Sequence, residues 1–274
     1  MEPRTAFVTL TDRGYFHKAR QTIRDLRTYG QWNGTIVLIV VDFMPTFEET
    51  SVLGPNIIYM PVSHIDHTTL WEIWKQYPIR KQFDDVQYKK FYQWDKLYVF
   101  DPFFKTWDRI IFLDAGARVC RSVEPLLKLD CKGKIIAPDD SDPYDNGNRF
   151  KVQFDFETNP AATEHFYETF GKDCLKEHYF LNCFFMFGTE IIEGHLTFQT
   201  LRQIMVEFPI SCRNEMGIMN LFFHIQKQVW YPLPQILPDG SGYYFGWNES
   251  NYHERPSASK FVVMKYPSHG PPVL

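Results

Sequence analysis

The chain has 274 residues, 44% of them hydrophobic and 17% aromatic, and a formal net charge of −4. That length suits one large domain with a full apolar core. The acidic balance, with a sequence pI near 6.1, argues against a protein that coats nucleic acid, which needs a basic face. No apolar run approaches the ~20 residues that span a bilayer. The five cysteines, at 120, 131, 174, 183 and 212, are odd in number and lack metal-finger spacing. Together with the absence of a cationic leader before an apolar stretch, they predict a reduced, cytoplasmic protein.

Residues 5–10, TAFVTL, read as a short apolar strand ending at Thr11-Asp12, with Asp12 the expected N-cap of a helix. Phe16, Ala19, Ile23, Leu26 and Gly30 then recur at spacings of three and four, an amphipathic helix lying on a sheet. TIVLIVVDF (35–43) is an almost unbroken β-branched run. Such runs belong to parallel sheets covered on both faces. NIIYMPV (56–62) is a third strand, and a polar, aromatic helical region follows in which Phe91, Trp94 and Tyr98 share a face until Pro102.

RIIFLDAGARV (109–119) is a strand that runs into Asp114, and KIIAPDD (134–140) is another that ends in Asp139-Asp140. The order β-α-β-x-β-α-β is that of an open α/β sheet, whose ligands gather at the carboxyl ends of the strands. Thr11-Asp12, Asp42, Asp114 and Asp139-Asp140 all fall at such ends, which predicts a polar cleft.

In the second half, 140–151 is a turn-rich loop and HYFLNCFFMFG (178–188) is an apolar strand with Asn182 embedded in it. Residues 195–208 and 213–228 read as two helices, 232–259 as a long aromatic loop, and 260–270 as a last strand ending at His269-Gly270. There is no internal repeat, low-complexity tract or linker, so one domain is expected over 1–274.

Taken in order, TAFVTLTD, WDKLYVF, RIIFLDAGARVCRSVEPLL, IIAPDD, FLNCFFMFG, NEMGIMNLFF and YPSHGPP resemble the nucleotide-sugar-dependent glycosyltransferases of the GT-A type, particularly family 8 of glycogenin and galactinol synthase. The resemblance implies a GT-A (Rossmann-like) fold: an open, mainly parallel sheet flanked by helices. Residues 1–140 would form the nucleotide-binding half and 141–274 the sugar- and acceptor-binding half. It implies a UDP-sugar donor, a carbohydrate or other hydroxyl acceptor, and transfer of a hexose with retention of configuration. Thr9, Leu10, Thr11 and Asp12 would hold the base and ribose, with Lys96, Ala115, Asp139 and Asp140 also on the donor. Asn182 and Glu215 would face the donor sugar and act with Asp114 in catalysis. Asp114 and His269 would ligate Mn2+ or Mg2+.

The chemistry agrees with that assignment. A departing nucleoside diphosphate carries several negative charges, which a hard divalent cation neutralises as Lewis acid and template. Lys96 would add a point charge on the phosphates. The departure is Gly116, which stands where the family carries its second carboxylate. Water, another acid, or Lys and Arg alone could make good the loss. Arg118 shares the strand face of Asp114 if the strand continues regularly. The alternative reading, with Gly116 as its support, is a non-catalytic nucleotide-sugar or glycan-binding module. A nucleotidyltransferase is disfavoured, because no Gly-rich phosphate loop follows the first strand. Tyr243, Tyr244, Phe245 and Trp247 suit either an acceptor platform or a self-packed lid.

Overall fold

The computed structural model describes residues 2–79, 91–140, 149–247 and 260–265. The strands, in chain order, are β1 (Thr5–Thr11), β2 (Thr35–Val41), β3 (Ile57–Val62), β4 (Arg109–Leu113), β5 (Arg118–Val119), β6 (Ile135–Ala137), β7 (Phe184–Gly188), β8 (Trp230–Pro232), β9 (Tyr243–Trp247) and β10 (Phe261–Lys265). Seven of them form a sheet in the order β3-β2-β1-β4-β7-β6-β8. β1 pairs in parallel with β2 and β4, and β2 with β3. β7 is antiparallel to both β4 and β6, and β8 is parallel to β6. The expected open, mainly parallel sheet is therefore present. No helix among the described residues is long and apolar enough to cross a membrane.

The unbroken apolar run of β2 has a simple cause. Val37 and Ile39 join Ala6, Val8, Ile110, Phe112, Phe185 and Phe187 in one core. Ile36, Leu38 and Val40 join Phe7, Ile111 and Leu113 in another, closed by Phe16, Ala19, Ile23 and Leu26 of the helix Phe16–Thr28. Each strand thus carries two period-two stripes, one per covered face. The aromatic excess goes largely into the first core, where Phe112 stacks on Phe185 at 4.9 Å and Phe100 meets Phe223 at 4.6 Å.

Several elements differ from expectation. The helix Phe16–Thr28 has Tyr15 at its N-cap, and Asp12 sits one turn earlier, accepting the Tyr15 N–H at 2.7 Å. Phe91–Phe100 is a 3₁₀ helix. Its period is three, so Trp94, Leu97 and Phe100 form the buried line, and Tyr98 leaves it to stack on Phe198. Only Phe184–Gly188 of 178–188 is strand, and Asn182 stands just before it. The helix Glu215–Met219 continues as a π-helical stretch, Asn220–Gln226, and 195–208 is the helix His195–Glu207. β9 crosses the expected loop 232–259 and lies in a second sheet, ordered β5-β10-β9. The helices Thr68–Gln76 and Pro160–Phe170 complete the layers.

β4 stops at Leu113, and the Ala117 N–H donates to the Asp114 carbonyl at 2.9 Å, closing a turn. Arg118 begins a strand of the other sheet, so the β4 face does not continue to it. Because β7 is antiparallel, its N-terminal end meets the C-terminal end of β4, with Leu113 opposite Phe184. β1 lies between β2 and β4, where the strand order reverses. Open sheets of this type bind ligands at such a switch point.

Candidate active site

Asp114 stands one residue past the end of β4, where its N–H donates to the Cys183 carbonyl at 2.9 Å. The turn beyond it is pinned from the first helix. The Gly116 N–H donates to Thr22 Oγ1 at 3.1 Å, and that hydroxyl donates to the Ala117 carbonyl at 2.8 Å. Gly116 has φ +91°, in the region that favours glycine. Its identity is thus set by the backbone as well as by the loss of a carboxylate.

The 3₁₀ helix delivers Lys96 to this point. The buried ammonium lies 3.0 Å from Asp114 Oδ1, 2.8 Å from Glu215 Oε1 and 3.3 Å from Asn182 Oδ1. Those three acceptors match the three donors of an ammonium group. Asn182 in turn donates to Glu215 Oε1 at 2.9 Å. Lys265, the last residue of β10, places its Nζ 3.1 Å from Asp114 Oδ2. Asp114, Asn182, Glu215 and Lys96 are therefore in one network, with Ala115 in the adjoining turn.

Burial works against charge throughout this network. It opposes the Lys96 ammonium, but Asp114 and Glu215 outweigh it and hold that pKa above the ordinary lysine value. Burial also raises Asp114, yet Lys265 and Lys96 together bring its carboxyl below the usual range. For Glu215 burial prevails over Lys96, and the carboxyl is raised. Glu215 Oε2 is buried without a hydrogen-bond partner. The network is one donor short, which in a buried site is costly.

Most of the other predicted residues lie at the ends of β1 and β6. Thr9 is buried in β1 with its hydroxyl unpaired, and Leu10 packs partly into the aromatic core. The Thr11 hydroxyl donates to the Asp12 carbonyl at 2.8 Å. These residues close β1, beside the end of β4. Asp139 Oδ2 lies 2.7 Å from His178 Nδ1, and the Asp140 N–H donates to the Tyr179 carbonyl at 3.0 Å. Burial, then Asp140, pushes the Tyr179 phenol well above its usual range. Arg118 pairs through Nε with the buried Asp25, so its charge is already matched. Of the aromatic residues on β9, Tyr244 is buried and Phe245 stacks on Phe184, while Tyr243 is exposed against Phe261. His269 lies outside the described residues.

Two features have no counterpart in the sequence reading. One is Lys265; its only local signal is a charge closing an apolar strand. The other is His64, whose Nδ1 lies 2.6 Å from Asp95 Oδ2 and whose Nε2 lies 3.3 Å from Asp42 Oδ2. The ring stacks on Tyr92 at 4.0 Å. Asp95 and Lys96 are adjacent, so one short helix supplies both strand-end clusters.

The expected divalent cation finds few free ligands among these donors. Among the described residues no group of three or more His, Cys, Asp or Glu could hold a metal ion. Both oxygens of Asp114 face ammonium groups. Mn2+ and Mg2+ need several oxygen or imidazole ligands free of competing cations. The described donor set does not fit one.

No protein-family model matches the sequence, and no curated protein matches it. Solved structures do resemble the fold. The galactosyltransferase LgtC, in complex with donor and acceptor sugar analogs, matches at 13% identity with a TM-score of 0.58, over 96% of this chain and 87% of that one. The bifunctional glycosyltransferase WbbM matches at 15% identity with a TM-score of 0.61, over 99% of this chain and 47% of that one. Core-mannan synthase A from Aspergillus fumigatus, in an Mn/GDP form, matches at 14% identity with a TM-score of 0.50, over 84% and 72%. The mixed sheet with its flanking helices is the GT-A glycosyltransferase fold.

Proposed function

We propose that the protein transfers a hexose from a UDP-sugar to a hydroxyl acceptor, with retention of configuration. The observation that carries this reading is the Lys96 ammonium, buried between Asp114 and Glu215 at the switch point of a GT-A sheet. Buried charge networks are expensive to assemble, and those at a cleft are candidates for function. The diphosphate would lie at the Asp114 turn, and the base and ribose along Thr9 to Asp12. The sugar would lie over Asn182 and Glu215, where a hydroxyl would complete Glu215 Oε2. Glu215 Oε1 is already held by Lys96 and Asn182, which suits a positioning acceptor better than a nucleophile. In the transfer, the bond from the anomeric carbon to the diphosphate oxygen breaks and a bond to the acceptor oxygen forms on the same face. The acceptor proton passes to the leaving phosphate.

A second reading, a nucleotide-sugar-binding module without turnover, is favoured by the engagement of both Asp114 oxygens. Release of UDP from a panel of UDP-sugars, with and without acceptors, separates the two. Turnover that drops by about 100-fold or more in Asp114→Ala supports the enzyme. UDP-sugar binding without turnover supports the module. No thermal shift with UDP, GDP or ADP would overturn both.

A further inference from the structure

We propose that the diphosphate of the donor is held by the ammonium groups of Lys265 and Lys18 in place of a divalent cation. This inference rests on the nucleotide-sugar reading above and assigns the charge chemistry of that site.

The first ground is the charge around Asp114. Two ammonium groups, Lys96 and Lys265, sit on the carboxylates Asp114 and Glu215, and a third, Lys18, lies beside the Gly116 turn. Lys96 bridges both acids, and Lys265 shares only the far oxygen of Asp114. Lys18 has no carboxylate partner among the described residues; its Nζ lies over the Tyr15 ring at 4.7 Å. Burial, and then the charge of Lys265, hold the Lys18 ammonium below its ordinary pKa. The repulsion between Lys18 and Lys265 is relieved by an anion and worsened by a metal ion.

The second ground is the geometry of Gly116. A Cβ there would lie 3.3 Å from Lys18 Cδ and 3.7 Å from Lys18 Cβ. The Lys18 stem therefore runs across the position from which a second carboxylate would project. The missing carboxylate and the arriving lysine are alternatives for one space. The turn that presents this space is bonded to the same helix through Thr22, four residues beyond Lys18.

The third ground is donor capacity. Lys265 Nζ uses one of its three donors on Asp114 and is partly open to solvent, with 17% of its side chain exposed. Two donors remain for phosphate oxygens. As the anomeric C–O bond breaks, the electron pair stays on the leaving phosphate oxygen, where fixed ammonium groups stabilise it. Arg118, the cation nearest in sequence, is paired with Asp25.

The test is calorimetric titration of UDP, inorganic pyrophosphate and uridine into the whole chain, in EDTA and again in Mn2+. UDP affinity in EDTA is expected to match that in Mn2+ within about threefold, and Lys265→Met to weaken UDP by about ten- to a hundredfold. Uridine should change by less than about twofold, since it carries no phosphate. Lys265→Arg should recover most of the loss. Lys18→Met, on a partly buried side chain, should weaken UDP by about three- to tenfold and keeps the test decisive if the Lys265 variant does not fold. UDP binding that EDTA abolishes and Mn2+ restores overturns this inference and leaves the proposed function standing. Unchanged UDP binding in both lysine variants does the same. Metal-free binding of pyrophosphate with no preference for UDP supports the lysine site and overturns the UDP reading. Failure of every diphosphate to bind overturns both.

Discussion

Asn220 clamps Phe180 from both sides of its peptide. The Phe180 N–H donates to Asn220 Oδ1 at 2.9 Å, and Asn220 Nδ2 donates to the Phe180 carbonyl at 3.0 Å. The same amide also reaches the Met216 carbonyl at 3.0 Å, one turn back on its own helix. A side chain thus stands in for a strand partner just before β7 begins, two residues from Asn182. Side-chain bonding to the preceding turn also loosens a helix, and the π-helical stretch starts at Asn220.

Asn220→Leu keeps the volume and removes the clamp, leaving buried peptide groups of Phe180 unpaired. A loss of about 2–4 kcal/mol in urea unfolding is expected. UDP-sugar turnover should fall further than UDP binding, because the displaced segment carries Asn182. A change below about 0.5 kcal/mol would show that the clamp is incidental.

Lys96→Met strips the counter-charge from the buried Glu215 carboxylate and leaves Asp114 with Lys265 alone. Breaking a buried pair in this way costs about 3–5 kcal/mol. Adding Glu215→Gln should recover part of the loss, since one uncompensated charge then disappears. The coupling is read from a double-mutant cycle by denaturant titration. Simple additivity would contradict the geometry described.

Gly116→Ala places a Cβ at φ +91° and within 3.3 Å of Lys18 Cδ. The backbone effect alone is about 1–2 kcal/mol. The melting temperature should fall by several degrees, and Lys18→Ala in the same chain should restore only the steric share. Gly116→Asp should lose stability likewise, without gaining Mn2+ binding by calorimetry.

His67 supplies a pH dependence. Burial pushes its imidazole from the ordinary 6.5 down to about 4, with His64 and Arg202 acting in the same direction and Asp66 against it. Both ring nitrogens are buried without partners, and the ring lies against Phe91 at 4.7 Å. The folded-state pKa is below the unfolded one. Its contribution is therefore present above pH 6.5 and is lost as pH falls toward 4, by up to about 3 kcal/mol. His67→Leu should lose less stability than wild type between pH 7 and pH 4.5 in parallel urea titrations.

The sheet was legible because its evidence is local. Unbroken runs such as 35–43 and 109–113 report two covered faces, and the acidic residues that end them mark one edge. Asp114, Lys96, Asn182 and Glu215 were reachable through the order of motifs, and they lie in one network. The rest depended on contacts that no local period records. A 3₁₀ helix moved Tyr98 off the line of Trp94. A turn that needs positive φ at Gly116 ended β4 and sent Arg118 to Asp25. Lys265 meets Asp114 only through the pairing of β10 with β5, and His64 meets Asp95 only because β3 ends beside the 3₁₀ helix.

The pairing of β10 with β5 also bears on how the protein is made. Lys265 follows Asp114 by 151 residues. On the ribosome, β1 to β4 emerge long before the strand that supplies the second ammonium. Until β10 is made, Asp114 Oδ2 lacks the ammonium it faces in the finished fold. The site is finished by the last described strand to arrive, and a product released short of residue 261 would carry the sheet without the completed charge cluster.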